Sequence, residues 1–116
     1  MTITQAMCTS FKSEILTEGH QLATDTIKIA LYTSSATLNA TTTAYSTSNE
    51  ISGTGYTAAG VTLTSAAVST TGTTAHFDAD DPSWTSASFT ANGALIYNSS
   101  NSNKAIAVLA FGGDFT

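Results

Sequence analysis

Ile3, Met7, Phe11 and Ile15 recur every four residues in ITQAMCTSFKSEIL, with Ala6 and Leu16 beside them. That spacing marks one apolar face of a 3.6-period helix, predicted over about 3–18. Thr2 and Gln5 stand at N-cap and N3 spacing, and Gly19 follows as a stop. The pattern then changes period. In TIKIALYT, Ile27, Ile29 and Leu31 alternate with Lys28, Ala30 and Tyr32, which predicts a half-buried strand. Residues 33–48, SSATLNATTTAYSTSN, show little periodicity and read as a long loop, with room for a short helix or strand near Thr41–Tyr45.

Shorter alternating runs follow. VTLTSAAV (61–68) predicts a strand, STTGTT (69–74) a turn, and AHFDA (75–79) a short strand. Asp81-Pro82 should break it, because the residue before proline avoids continuing regular structure. SWTSASFT (83–90) is a weak strand and Asn92-Gly93 a turn signal. ALIYN (94–98) and KAIAVLAFG (104–112) flank a polar loop and predict a hairpin. The unbroken apolar run of the second arm predicts a central strand buried on both faces. Gly112-Gly113-Asp114 reads as a turn into one more strand, which Phe115 would begin. Either that strand lies outside the sequence given, or another chain completes the sheet. The expected fold is mainly β: an antiparallel β-sandwich or barrel-like sheet with one N-terminal amphipathic helix. It forms a single domain over 1–116, with the β part from about 26 to 116.

Composition sharpens this picture. Ser and Thr supply 38 of the 116 residues, a bias that also occurs in disordered tracts. The ten aromatic residues and the frequent Thr, Val and Ile favour a packed β domain instead. Lys12, Lys28 and Lys104 are the only basic side chains besides the histidines, and the formal charge is −5. Three scattered lysines cannot neutralise a phosphate backbone or an anionic lipid surface, so neither nucleic acid nor membrane is an expected partner. The lone Cys8 allows no disulfide within the chain.

The stretch NEISGTGYTAAGVTL (49–63) places Gly53, Gly55 and Gly60 close together, as phosphate-binding loops do. Such loops require a lysine after the last glycine and a helix whose N-terminal amides hold the phosphate. Here Gly60 is followed by Val61, Thr62 and Leu63, a strand pattern. The glycines therefore read as backbone-shaping, with Glu50 and Tyr56 as the side chains the loop positions. Asp78, Asp80 and Asp81 lack the later ligands and closing glutamate of a calcium loop. Cys8, His20 and His76 match no zinc spacing, and no Gly-x-Ser-x-Gly elbow occurs. Asn39-Ala-Thr and Asn98-Ser-Ser fit the glycosylation pattern by chance in so Ser/Thr-rich a chain. No catalytic residue, metal ligand or cofactor is expected.

TIKIALYTSSATLNATTTAY (26–45), NEISGTGYTAAGVTLT (49–64), SWT (83–85) and GALIYNSSNSNKAIAVLAFGGD (93–114) together resemble a family of small proteins encoded in tailed-bacteriophage genomes. The resemblance spans nearly the whole chain. It implies a β-rich, non-enzymatic virion structural protein, assembled in the bacterial host cytoplasm, and carries no catalytic residues. The expected function is a capsid decoration or cement protein on the outer head surface, binding the major capsid protein or other virion proteins. Homo-oligomers are expected. Ile3, Met7, Phe11, Tyr56 and Trp84 are the candidate partner-interface residues. The alternatives are a tail, neck or baseplate component, and a particle-surface carbohydrate-binding module. The last would use Trp84, Tyr45, Tyr56 and Tyr97 as stacking faces and Asp78, Asp80 and Asp81 as polar contacts.

Overall fold

The computed structural model describes residues 3–17, 20–22, 24–65, 67–80, 82, 84 and 87–115. The elements in chain order are β1 (Ala6–Met7), α1 (Thr9–Ile15), β2 (Ile27–Tyr32), β3 (Val61–Thr62), β4 (Ala67–Thr71), β5 (Thr74–Asp78), β6 (Ala91–Asn98) and β7 (Lys104–Phe115). The fold is mainly antiparallel β with one short helix near the N-terminus, as the pattern predicts. The main sheet has the order β1-β7-β6-β2-β3, and β4 and β5 form a separate two-stranded sheet. The main sheet is open: β1 and β3 end it on opposite sides, so it does not close into a barrel.

Alternation sorts the side chains of the central strands onto two faces. Ala30, Tyr32, Leu95, Tyr97 and Val108 face one apolar layer. That layer is roofed by Phe11 of α1 and by Ala36 and Leu38 of the long loop. Ile29, Leu31 and Ala94 face the other, which Ile51, Tyr56, Leu63, Trp84 and Phe89 cover. β2 is therefore buried on both faces rather than half-buried. The doubly buried central strand is β6; β7 is flanked on its outer side by the two residues of β1 and, at Lys104, by a single bridge from Ala44.

Several expectations are corrected. The helix predicted over 3–18 runs only over Thr9–Ile15. Ile3 pairs with Leu38, and Ala6 and Met7 pair with Val108 and Ala107 on β7. The backbone of 3–8 satisfies its polar groups on neighbouring strands, and tertiary pairing overrides local helical preference. Cys8 occupies the N-cap without a side-chain cap. Gln5 does not form a capping box; its side-chain oxygen accepts from the Ala110 N–H at 3.3 Å. Thr2 and Gly19 lie outside the described residues.

Asn92-Gly93 is no turn. β6 runs through it, with a register shift between Ala91 and Gly93. Gly93 is required by close approach: a Cβ there would lie 2.7 Å from Ile3 Cγ2 and 2.7 Å from the Leu109 carbonyl oxygen. Gly112-Gly113-Asp114 does not turn into a new strand either. The segment is the irregular part of β7, where Ala91 pairs with Phe115 after Gly93 has paired with Ala110. The 61–68 run divides into β3 and the start of β4, and β4 continues through Thr71 where a turn was expected. The Thr and Ser of 69–71 are at home in a strand. Of 83–90, the described part contributes one bridge, Ser88 with Thr54; Asp81, Ser83, Thr85 and Ser86 lie outside the described residues.

Candidate functional site

The glycine loop was the first candidate, and its geometry is a clasp. Asn49 and Glu50 are laid along the end of β2 by the Thr33 N–H to Asn49 oxygen bond (3.0 Å) and the Ile51 N–H to Leu31 oxygen bond (3.0 Å). Gly60 (φ 80°) then passes against the same strand. A Cβ at Gly60 would sit 1.8 Å from the Ile29 carbonyl oxygen, so no other residue fits. That approach brings Ala59 beneath Glu50.

Glu50 is the hub of the clasp. Its Oε1 accepts from the Tyr45 hydroxyl at 2.6 Å. Its Oε2 accepts from the Tyr56 hydroxyl and from the Ala59 N–H, the latter at 2.8 Å. Tyr56 Oη in turn accepts from the Leu31 N–H at 3.1 Å. Tyr97 donates to the Ala59 carbonyl at 2.7 Å, and its ring stacks on Tyr45 with centroids 4.7 Å apart. Tyr32 donates to the Ser46 carbonyl at 2.6 Å. All four tyrosine hydroxyls are thus committed inside the chain.

Burial pushes every one of these phenols above its ordinary range, with the Glu50 charge adding to it. Tyr97 rises to about 12, and Tyr32, Tyr45 and Tyr56 rise further. None can supply a phenolate near neutral pH. The network ties together 45–60, β2 and β6.

A second polar cluster, which the sequence analysis did not find, joins residues far apart in the chain. His20 Nε2 meets Glu14 Oε1 at 2.8 Å. Asn98 Nδ2 donates to His20 Nδ1 at 3.0 Å and to Asp25 Oδ2 at 2.7 Å. Because Nδ1 accepts, the proton sits on Nε2 and is given to Glu14. The His20 side chain is wholly buried and lies against Phe11, with ring centroids 4.9 Å apart. Asn98 holds Asp25 below its ordinary carboxylate value, helped by the Gln21 N–H. Cys8 is buried, and burial with the nearby Glu14 charge pushes its thiol up, which disfavours the nucleophilic thiolate. The cluster fastens Glu14, His20 and Asp25 to the end of β6.

The remaining candidates are dispersed. Asp78 accepts from the Ala79 N–H, and Asp80 Oδ2 from the Thr64 hydroxyl at 3.4 Å. Asp81 lies outside the described residues. His76 sits across from Ser69 on the hairpin, far in sequence and element from His20. Among the described residues no group of three His, Cys, Asp or Glu is placed to hold a metal ion. Asn98 is buried, so it cannot be a glycosylation acceptor. Among the described residues no helix is long and apolar enough to cross a membrane.

Of the five interface candidates, Ile3 and Phe11 are buried in this chain's own core and cannot present a docking surface. Met7 is exposed. Tyr56 and Trp84 pack with Phe89 into an aromatic cluster, at centroid distances of 5.8–6.4 Å, that closes the second face. Tyr97 is buried and offers no stacking face, and Tyr45 lies with one face of its ring against it.

Among the described residues, clefts and a projection are the remaining surface features. A cleft of about 430 Å³ is lined by neutral groups of the long loop, among them Ser35, Asn39, Thr42, Ser46 and Asn49. A groove of about 320 Å³ lies between Ile29, Ile96 and Leu109 of the sheet and Phe77 and Asp80. The projection is the β4–β5 hairpin. Every residue of β4 is exposed, and within β5 only Phe77 is partly covered. Ile15, Leu16 and Val68 add further exposed apolar side chains. No family model, curated protein or solved structure matches the chain.

Proposed function

We propose that the chain is a non-enzymatic structural protein of a tailed-phage particle, serving as a capsid decoration or cement protein on the outer head surface. The observation that carries the reading is the β4–β5 hairpin. A two-stranded hairpin with nothing packed on most of its surface is marginal in water by itself. Such an element is suited to becoming ordered against a neighbour, here the major capsid protein or another virion protein. The second support is where the polar chemistry goes. Glu50, the four tyrosines, His20 and Asn98 are spent on internal bonds that rigidify the domain. The third is the resemblance of 26–45, 49–64 and 93–114 to phage virion proteins.

In many copies, a small contact per copy is sufficient, because each bound neighbour raises the effective concentration of the next. The tail, neck or baseplate reading shares these supports and differs in stoichiometry. Quantitative mass spectrometry of purified particles separates the two. A copy number that scales with the capsid shell supports decoration; a copy number matching a tail-associated ring would place the protein there. Absence from washed particles would end both readings.

A further inference from the structure

The hairpin has two open edges, and they are not equivalent. β4 reads Ala67-Val68-Ser69-Thr70-Thr71, with no charge, no proline and no glycine. β5 carries His76 and Asp78, and Asp80 follows just beyond it. Charged residues on an edge strand guard it against pairing, and their absence leaves β4 unguarded. The chain as a whole carries a formal charge of −5, so two copies repel over most of their surfaces. β4 is a five-residue stretch along which they can meet without opposing carboxylates.

The register fixes which backbone groups are available. Thr71 pairs with Thr74 across the two-residue loop Gly72-Thr73, and Gly72 has φ 60°. A two-residue loop makes its flanking residues a hydrogen-bonded pair, and the pairs alternate from there. Thr71, Ser69 and Ala67 therefore bond inward to β5. Val68 and Thr70 direct their N–H and C=O outward.

We infer that two copies of this chain associate by antiparallel pairing of β4 with β4 about a two-fold axis through Ser69, giving a four-stranded sheet across the interface. In this register Val68 pairs with Thr70 of the other copy, twice, and Ser69 faces Ser69. Ala67 faces Thr71. All five residues of each strand are used and four backbone hydrogen bonds form. The apposed side chains are small and uncharged. Val68, half-exposed in the single chain, gains the Thr70 methyl of its neighbour on the same face. β5 cannot do this as well. Pairing about His76 would set imidazole against imidazole and bring two copies' Asp78 and Asp80 to one sheet. The interface is small, below the roughly 1,000 Å² of stable complexes. The free dimer is therefore weak and is populated at high protein concentration. The inference concerns association of this chain with itself and stands apart from the particle reading.

Disulfide trapping tests the register. Facing residues in a non-hydrogen-bonded antiparallel pair have Cα atoms about 4.5 Å apart, within disulfide reach. Ser69→Cys, oxidised with diamide at high protein concentration, should give a covalent dimer as the main product. It should form roughly tenfold or more faster than with Thr74→Cys, which lies on β5 away from the axis. The buried Cys8 does not compete. Adding Thr70→Pro should abolish the fast trapping. It removes an outward N–H while leaving the inward ladder to β5 intact, as prolines on edge strands do. Equal trapping rates for the two cysteines would overturn the register. Fast trapping that survives Thr70→Pro would overturn backbone pairing. Failure of Ser69→Cys to trap at any concentration would overturn self-association and leave β4 to a different chain.

Discussion

Replacing Glu50 by alanine should remove a large share of the domain's stability while leaving it folded. The carboxylate accepts from the Tyr45 hydroxyl, the Tyr56 hydroxyl and the Ala59 N–H. Glu50→Ala strands all three donors in a part-buried site. Each unsatisfied buried donor costs about 1–3 kcal/mol. Water entering the space left by the carboxylate recovers some of this, so the net loss should be about 3–6 kcal/mol. A domain of this size has a stability on the order of 10 kcal/mol. Glu50→Gln should be milder, at about 1–2 kcal/mol, because the amide oxygen can serve Tyr56 and Ala59 while the Tyr45 hydroxyl turns to accept from the amide nitrogen. Urea unfolding followed by circular dichroism reads both. With a slope of about 1–3 kcal/mol per molar, Glu50→Ala should lower the midpoint by roughly 2 M. The decisive control is the background Tyr45→Phe/Tyr56→Phe, in which two of the three donors are gone. There Glu50→Ala should cost much less, a coupling that identifies the hydroxyls as the reason. A cost below about 1 kcal/mol in the native background would refute the clasp. So would a cost that is unchanged in the double-phenylalanine background.

Other expectations follow from the same geometry. Gly60→Ala should yield no folded protein, because a Cβ would lie 1.8 Å from the Ile29 carbonyl oxygen; a normal thermal transition would contradict this. Gly55→Val should destabilise by about 3 kcal/mol or more, from its φ of 88° and a Cβ only 2.6 Å from Ala87 Cα, read as a lowered urea midpoint. On alkaline titration the raised phenols make stability full below about pH 10, where unfolded tyrosine ionises, and declining as pH rises toward the folded values, about 12 for Tyr97. Tyrosinate absorbance should then appear together with loss of structure, and a phenol ionising near pH 10 in the intact fold would count against the buried network. In acid the sign reverses: Asp25, held below its ordinary value, stabilises above about pH 3.9 and loses that contribution as pH falls through its folded value. Asp25→Asn should flatten the acid limb of the stability curve slightly, since the group is only partly buried; an unchanged limb would show that the Asn98 contact has no energetic weight.

Much of the β framework could be read in the sequence, and the failures have physical causes. Ile27, Ile29 and Leu31 and the paired runs 94–98 and 104–112 located β2, β6 and most of β7, because the inner strands of a covered sheet need apolar and β-branched residues along their length. The N-terminal run misled because a spacing of four satisfies both a 3.6-residue helix and a two-residue strand. Ile3 and Ala6–Met7 became extended where β7 and Leu38 offered partners. Asn92-Gly93 carries a turn signature, but Gly93 is glycine for space beside Ile3 and Leu109, which only the folded chain reveals. The glycine loop's shaping role was legible, and so was its positioning of Glu50 and Tyr56; that the two are bonded to each other was not. The contribution of Tyr97 was not, since it reaches the loop from β6, and no local pattern marks Tyr45 or the Ala59 N–H as donors to Glu50. The His20–Asn98 bond spans 78 residues and has no local signal.

As a proposed building element of a phage head, this chain should be visible by cryo-electron microscopy of the particles whose genome encodes it. Density for the five-stranded sheet is expected on the outer capsid surface, with the β4–β5 hairpin ordered against a neighbouring subunit. Density confined to the tail, or a hairpin that projects into solvent while other surfaces make every contact, would contradict it.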